Sequence, residues 1–298
     1  MPNKISSSAS ETAAAPITGA TVLYGLIAHP AHHSLSPLIH NRGFLERQIS
    51  ARYLAFDTQA TAADIATSIK ALNIRGLNLS LPYKETMLPL MDELTPTAKL
   101  IGAINTIKNE TGHLLGTNTD GQGLVAAIQA TGVSIKKQHV LLLGGGATAR
   151  AILVALVQAG CDHVTVVQRP ESRHYQQMQQ LLSALALADQ TCQPWPQLAN
   201  LPIEDYSLVI NATSIGFGDQ QDQSPLSAEW LSQLPSTCQV WDVIYQPRQS
   251  NLLTLAEQQG LATHNGLAML CYQAAASFEF WTGKTLPVVS IYQIIKQK

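Results

Sequence analysis

Apolar positions along the chain fall into short continuous runs that alternate with spaced ones, so strands and helices are predicted in turn. Val140-Leu-Leu-Leu143 runs straight into Gly144-Gly-Gly146. Ala147, Ala149, Ala151, Ile152, Leu153, Leu156 and Val157 then share a helical face that Gly160 closes. Similar runs predict buried strands at 22–28, 53–56, 163–167 and 206–210, with 240–247 as the last strand. Between 76 and 82, Asn78 and Ser80 alternate with leucines on one face of a strand that Pro82 ends. A further strand over 102–107 carries Asn105, and a hairpin at 109–112 returns it through Leu114 and Leu115.

Helical spacing is read at 60–72, from Glu85 onward, at 123–130, in a Gln-rich stretch over 175–187 and at 251–259. A long helix begins at His264-Asn265-Gly266 and runs past Met269, Gln273, Ser277 and Trp281, and a loop is expected around Pro194 and Pro196. Strand and helix alternate on both sides of the 123–130 helix. This predicts an α/β fold of two α/β domains rather than one closed barrel. Residues 21–121, completed by 266–298, are expected to form one domain and 122–265 the other, with the site in the cleft between them.

Composition narrows the function. The 298 residues carry a formal charge of −2 with only 13% charged side chains, which offers no basic field for nucleic acid. Cys161, Cys192, Cys238 and Cys271 are widely spaced, as expected of reduced thiols in a cytoplasmic protein. No apolar run reaches the roughly 18 residues of a membrane span, and the histidines show no metal-ligand spacing. Residues 1–20 are rich in Ser, Ala and Thr without an apolar core, and Glu11 argues against a transit peptide, so a disordered leader is expected.

Several positions invite chemistry beside a plainer role. The strand, glycine turn and helix start at 140–150 suit a phosphate, because glycines let backbone approach it and first-turn N–H groups face it. Ala149 stands where the third glycine of a dinucleotide fingerprint is expected, and a tight turn alone would also need glycine. At the end of the next strand Gln168-Arg169 replaces the acid that would grip a ribose, so NADP is expected rather than NAD. Ser36, before Pro37, reads as a helix N-cap, yet a ligand carboxylate would find the same free N–H groups beside the Ser34 hydroxyl. Lys84 lies just past a strand end, where a solvated surface charge is the ordinary reading. Asp120 reads equally as a cap of the helix that follows. Gln273, four residues from Met269, needs a hydrogen-bond partner in its Ala-rich helix, either a carbonyl or a substrate hydroxyl.

Taken together these blocks closely resemble the shikimate dehydrogenase family, from about Val22 to Trp281. Ser34-Leu-Ser36-Pro-Leu-Ile-His-Asn41 resembles its serine motif, which implies that the two hydroxyls hold a substrate carboxylate. Asn78-Leu-Ser80-Leu-Pro-Tyr-Lys84 is similar to its Asn-Val-Thr-x-Pro-x-Lys block, which implies catalysis by Lys84 with Ser80 beside the substrate. Gly102-Ala-Ile-Asn105 and Asn118-Thr-Asp120 match blocks that imply a substrate-binding Asn105 and an Asp120 partnered with the lysine and touching substrate. Tyr245 and Gln273 fall on further substrate positions. Gly144, Gly145, Gly146, Ala147, Thr148, Gln168, Arg169, Val243 and Gly266 fall on the cofactor side, and no metal is implied.

The implied reaction is reversible reduction of 3-dehydroshikimate by NADPH, in the pathway to chorismate and the aromatic amino acids, by a cytoplasmic monomer or homodimer that engages neither membrane nor nucleic acid. Departures from the pattern are Ser80 for the usual threonine, Gln168-Arg169-Pro170 for Asn-Arg-Thr, and Asn265-Gly-Leu-Ala for Asp-Gly-Leu-Gly. Pro170 removes an N–H and a hydroxyl that a 2′-phosphate could have used. Rival readings are a quinate/shikimate dehydrogenase with relaxed use of NAD and NADP, and a non-catalytic dinucleotide sensor. A methylenetetrahydrofolate dehydrogenase would share the architecture but lack the paired serines.

Overall fold

The computed structural model describes residues 16–185 and 191–297. The first fifteen residues of the expected leader therefore lie outside the described residues, as do the last two positions of the 175–187 helix. The first half contains β1 (Val22–Ala28), α1 (Ser36–Glu46), β2 (Ala51–Asp57), α2 (Ala62–Ala71), β3 (Gly76–Leu79), α3 (Tyr83–Thr86), β4 (Glu93–Leu94), α4 (Pro96–Ile101), β5 (Thr106–Glu110) and β6 (His113–Thr117). Helix α5 (Asp120–Ala130) leads into β7 (His139–Leu143), α6 (Ala147–Gln158), β8 (His163–Gln168), α7 (Arg173–Leu185) and β9 (Thr191–Pro194). Then come β10 (Leu208–Asn211), α8 (Ala228–Leu231), β11 (Gln239–Asp242), α9 (Asn251–Gln258) and β12 (Ala262–His264), and the chain returns through α10 (Leu267–Thr282) and α11 (Val288–Lys296).

Two six-stranded sheets result, as the alternating pattern predicts. The first has the order β2-β1-β3-β5-β6-β4 and is mixed, because β5 runs antiparallel to β3 and to β6. The second has the order β12-β11-β10-β7-β8-β9 with every pair parallel. That is the doubly wound dinucleotide-binding order, and its switch point lies between β7 and β10, where such sheets hold their ligands.

The continuous apolar run of β7 has a direct cause. Val140 and Leu142 pack with Ile152, Leu153 and Leu156 of α6 on one face, while Leu141 and Leu143 pack with Trp230, Leu252 and Leu253 on the other. A strand covered on both faces has no polar side to present. In the first sheet Tyr24, Leu26 and Ala28 face Phe44, Phe278 and Trp281, and Ile27 faces Ile65, Ile69 and Met87. Helix α10 thus returns the C-terminus to the first half, although Met269 near its start packs with the second.

Several boundaries differ from expectation. The predicted loop at Pro194 is the edge strand β9, which tolerates a terminal proline because its outer side needs no donor. The strand expected over 240–247 ends at Asp242, and β12 is the last strand instead. The Asp242 carboxylate accepts the Ile244 N–H (3.0 Å), Asn211 Nδ2 (3.1 Å) and Ser250 Oγ (2.6 Å), which turns the chain out of the sheet after one residue. The 102–107 strand begins only at Thr106, because Gly102 closes α4 at φ +70°. Ser36 is not the N-cap of α1; Leu35 is, and the helix has no side-chain cap. Asp120 likewise opens α5 as a first-turn residue rather than capping it.

Burial pushes the Asp242 carboxyl up to about 6, against the lowering effect of its bonds from Ser250, Ile244 and Asn211. With the folded pKa above the unfolded one, its contribution to stability is fullest below about pH 4 and is lost as pH rises toward about 6. Asp242→Asn should abolish that dependence. Thermal melts from pH 4 to 7 should show wild type losing about 1–3 kcal/mol relative to the variant. A difference that stays constant over that range would show that Asp242 does not titrate there.

Candidate active site

The two sheets point their C-terminal strand ends at a cleft of about 330 Å³. From the first half, Ser34, Ser36, Ser80, Lys84, Asn105 and Asp120 line it. Thr148, Val243, Tyr245 and Gly266 line it from the second half and its exit, and Gln273 from α10. Residues separated by 239 positions are therefore brought to one cavity, as the sequence blocks imply.

At its floor Lys84 Nζ donates to Asp120 Oδ2 at 2.5 Å and to Thr148 Oγ1 at 3.3 Å. Lys84 and Asp120 side chains are only 15% and 8% exposed, so the pair is sheltered but reachable from the cleft. The other Asp120 oxygen accepts Asn105 Nδ2 at 2.7 Å. Asn105 also donates toward Gln273 Oε1 at 3.4 Å and accepts the Thr119 N–H at 2.9 Å. With both oxygens engaged, the carboxylate is fixed in rotamer, and the ammonium keeps donors for a third partner.

A layer the blocks did not announce lies beneath. Asn78 Nδ2 is shared among Asn105 O, Thr106 Oγ1 and Ser277 Oγ, and Tyr53 OH donates to Asn78 Oδ1 at 2.8 Å. Thr106 Oγ1 donates in turn to Asn105 Oδ1 at 2.8 Å. Asn78 thus works as a buried pillar, and although it and Ser80 both line the cleft, β3 ends at Leu79, before Ser80. His40 stacks on Tyr53 with ring centroids 4.4 Å apart; among the described residues its nitrogens have no hydrogen-bond partner, and burial pushes its pKa down to about 3. His29, His33 and Phe217 at the cleft mouth were also missed. Only the adjacency of His33 to Ser34 could have flagged one of them.

Above the floor, Ser34 Oγ accepts the Ser36 N–H at 3.2 Å at the start of α1. Tyr245 lines the cleft with Ser34 and Ser36 and packs against the same apolar cluster as Leu35, and burial pushes its phenol up, partly offset by the Leu35 backbone and Arg248. Gly144 ends β7 at φ +110°, and Gly146 is the N-cap of α6, which has no side-chain cap. A Cβ on Gly146 would meet nothing within 4 Å. Open space over uncapped first-turn N–H groups fits a phosphate. Gln168 is buried against Gly145, whereas Arg169 is exposed just beyond β8. Val243 and Gly266 stand together, since a Cβ on Gly266 would lie 2.0 Å from the Val243 carbonyl oxygen. Thr148, placed by the blocks with the cofactor, also touches Lys84. Among the described residues no cluster of three or more His, Cys, Asp or Glu could hold a metal, and no helix is long and apolar enough to cross a membrane.

Known proteins resemble this chain in sequence and fold. Residues 26–107 match the shikimate dehydrogenase substrate binding domain, and residues 266–296 match the shikimate 5'-dehydrogenase C-terminal domain. A shikimate dehydrogenase (NADP(+)) from Latilactobacillus sakei is 46% identical over 93% of this chain and 97% of its own. The chain belongs to the shikimate dehydrogenase family. The structure of the Listeria monocytogenes enzyme in complex with shikimate and NAD superposes with a TM-score of 0.84 at 34% identity, covering 94% of this chain and 98% of that one. The Thermus thermophilus enzyme in complex with NADP(H) and shikimate gives 0.79 at 31% identity, over 93% and 99%.

The floor can be tested without substrate. Asn105→Ala leaves Asp120 Oδ1 and the Thr119 N–H without a protein partner in a buried setting, which should cost about 1–3 kcal/mol. Urea unfolding should show that loss, and a change within error would mean that solvent replaces the amide freely.

Proposed function

We propose that this chain catalyses the reversible NADPH-dependent reduction of 3-dehydroshikimate to shikimate. The observation that carries the reading is the Lys84–Asp120 pair in the cleft, lined also by Ser34, Ser36 and, just after the glycine loop, Thr148. Residues 21–121 with 266–298 act as the substrate domain and 122–265 as the NADP domain. The residue partition follows the two sheets, with α10 returning to the first.

In this reading Ser34 and Ser36 bind the substrate carboxylate at the start of α1, with Tyr245 closing over them. Asn105, Gln273 and Ser80 face the ring and its hydroxyls. The first turn of α6 and the loop from Gly144 to Thr148 hold the cofactor's pyrophosphate. Arg169 meets the 2′-phosphate beside Gln168, and Val243 with Gly266 borders the nicotinamide end. The cofactor, when bound, supplies the hydride that reduces the C3 carbonyl. Lys84 donates a hydrogen bond to that carbonyl oxygen, stabilises its growing negative charge and delivers the proton. Asp120 orients the ammonium and accepts a substrate hydroxyl. Oxidation of shikimate retraces the path, with the lysine accepting the proton. The chain works in the cytoplasm without metal, nucleic acid or membrane, as a monomer or homodimer.

Assays crossing shikimate and quinate with NADP and NAD test the reading. Shikimate with NADP should give the highest kcat/KM, and quinate preferred over shikimate would overturn the substrate assignment. Lys84→Ala should lower kcat by about 10²–10⁴ with cofactor binding intact, and near-full turnover would remove the lysine from the chemistry. Arg169→Ala should weaken NADP by roughly one to two decades, the size of a charge-assisted contact, and leave NAD nearly unchanged. Equal losses for both cofactors would make the arginine a support of the fold.

A further inference from the structure

The residue after Lys84 turns away from the cleft and reaches the other half of the molecule. Glu85 Oε1 accepts Arg150 Nη2 at 2.7 Å, and Oε2 accepts Arg173 Nη2 at 3.0 Å. The two cations differ in kind. Arg173 is 74% exposed, whereas the Arg150 side chain is 3% exposed, in the first turn of α6. Arg150 Nε donates to Ile101 O at 2.9 Å, and Nη1 donates to Gly145 O at 3.2 Å and Gln177 Oε1 at 2.9 Å. One buried guanidinium therefore joins the turn that carries Lys84, the end of α4, the glycine loop and α7. Burial alone would raise the Glu85 carboxyl, but the hydrogen bond and charge of Arg150, with Arg173 and His174, outweigh it and hold the group below its ordinary value.

A second direct tie between these segments is the 3.3 Å contact from Lys84 to the Thr148 hydroxyl. A bond between two ions is the stronger of the two, and the fixed planar fork of arginine transmits direction as well as distance. We infer that Glu85 and Arg150 are positioning residues that fix the Lys84 turn against the glycine loop, so that the proton-donating ammonium and the phosphate cradle keep one spacing. The inference rests on the proposed function for what the cradle holds. Its mechanical part, a coupling between residues 83–86 and 144–148, does not.

Glu85→Gln keeps the shape of the side chain and an acceptor oxygen but removes the charge. Hydrogen exchange on the cofactor-free chain should then speed up at least about fivefold in both 83–86 and 144–148, with β2 unchanged. Calorimetric titration should show NADP+ binding weakened by about five- to tenfold, at the lower end of the range for coupled sites, although Glu85 lies outside the phosphate cradle. Single-turnover hydride transfer should slow while KM for shikimate stays within about twofold. In an Arg150→Lys background, Glu85→Gln should add little to either change. Unchanged exchange at 144–148 overturns the coupling, as does a uniform rise across the chain, which would mark a merely structural role. Unchanged NADP+ affinity overturns the link to the cradle. Failure of wild type to bind NADP+ or turn over shikimate would defeat the proposed function instead, and the exchange experiment reads the coupling independently of that.

Discussion

The site depends on how closely one helix can be approached from two sides. Helix α5 begins at Asp120 and carries Gly121 and Gly123 in its first turn. A Cβ on Gly121 would lie 1.9 Å from the Ala151 carbonyl oxygen of α6, and one on Gly123 would lie 2.6 Å from the Gln273 backbone nitrogen and Cβ in α10. Neither gap admits any other residue, so the glycines let α5 press against the helix behind the glycine loop and the helix that returns to the first sheet. Asp120 is thereby delivered within hydrogen-bond reach of Lys84 and Asn105.

That closeness imposes a cost, because the floor it creates is polar and almost dry. Asn78, Asn105, Thr106, Thr119, Asp120, Gln273 and Ser277 are all at most 7% exposed. Burying such groups costs roughly 1–3 kcal/mol apiece when a partner is missing. Here they answer one another. Ser277, fully buried, stands within 3.1 Å of Asn78, Thr106 and Thr119 oxygens or nitrogens and donates to the Gln273 carbonyl. Satisfied networks of this kind specify one arrangement of side chains, since any slip orphans a buried donor. The rigidity needed to hold Asp120 in one rotamer is built into the same bonds that make the floor stable.

The architecture was legible because its signals are periodic. Continuous apolar runs marked the doubly covered strands of the second sheet, and the β7–glycine–α6 unit appeared at its expected bounds. What escaped was set by single polar interactions and local starts and stops, some between neighbours and some between distant residues. The 240–247 run ends as a strand at Asp242 because a carboxylate captures the Ile244 N–H, and nothing in the local pattern of apolar residues records that. Ser36 is the first helical residue rather than the cap, since the helix begins one residue earlier, over Leu35, even though a following proline disfavours helical backbone there. At the site, blocks near strand ends identified the residues that line the cleft, since loops there show unusual polar types. The supporting layer under Asn78 stayed hidden. Tyr53 and Ser277 sit in ordinary strand and helix positions, and only the tertiary fold brings them within reach of each other.

Charge distribution explains why so weakly charged a chain can gather anionic ligands. The formal balance is −2 over 298 residues, so no long-range field steers a ligand. What the fold supplies instead is local. Helices α1 and α6 both begin at the cleft; the α6 start has no side-chain cap, whereas at α1 the Ser34 hydroxyl takes the Ser36 N–H and leaves the later first-turn N–H groups without a side-chain cap. In the proposed reaction the carboxylate lies toward α1 and the phosphates toward α6. The ammonium lies between them, where the carbonyl oxygen gains charge. Asp120 fixes that ammonium through one oxygen while its other accepts Asn105 Nδ2. In that reading two helix starts and one lysine serve three separate anionic groups. The substrate and cofactor are held apart by the charges they carry and brought together only at the atom where those charges must meet.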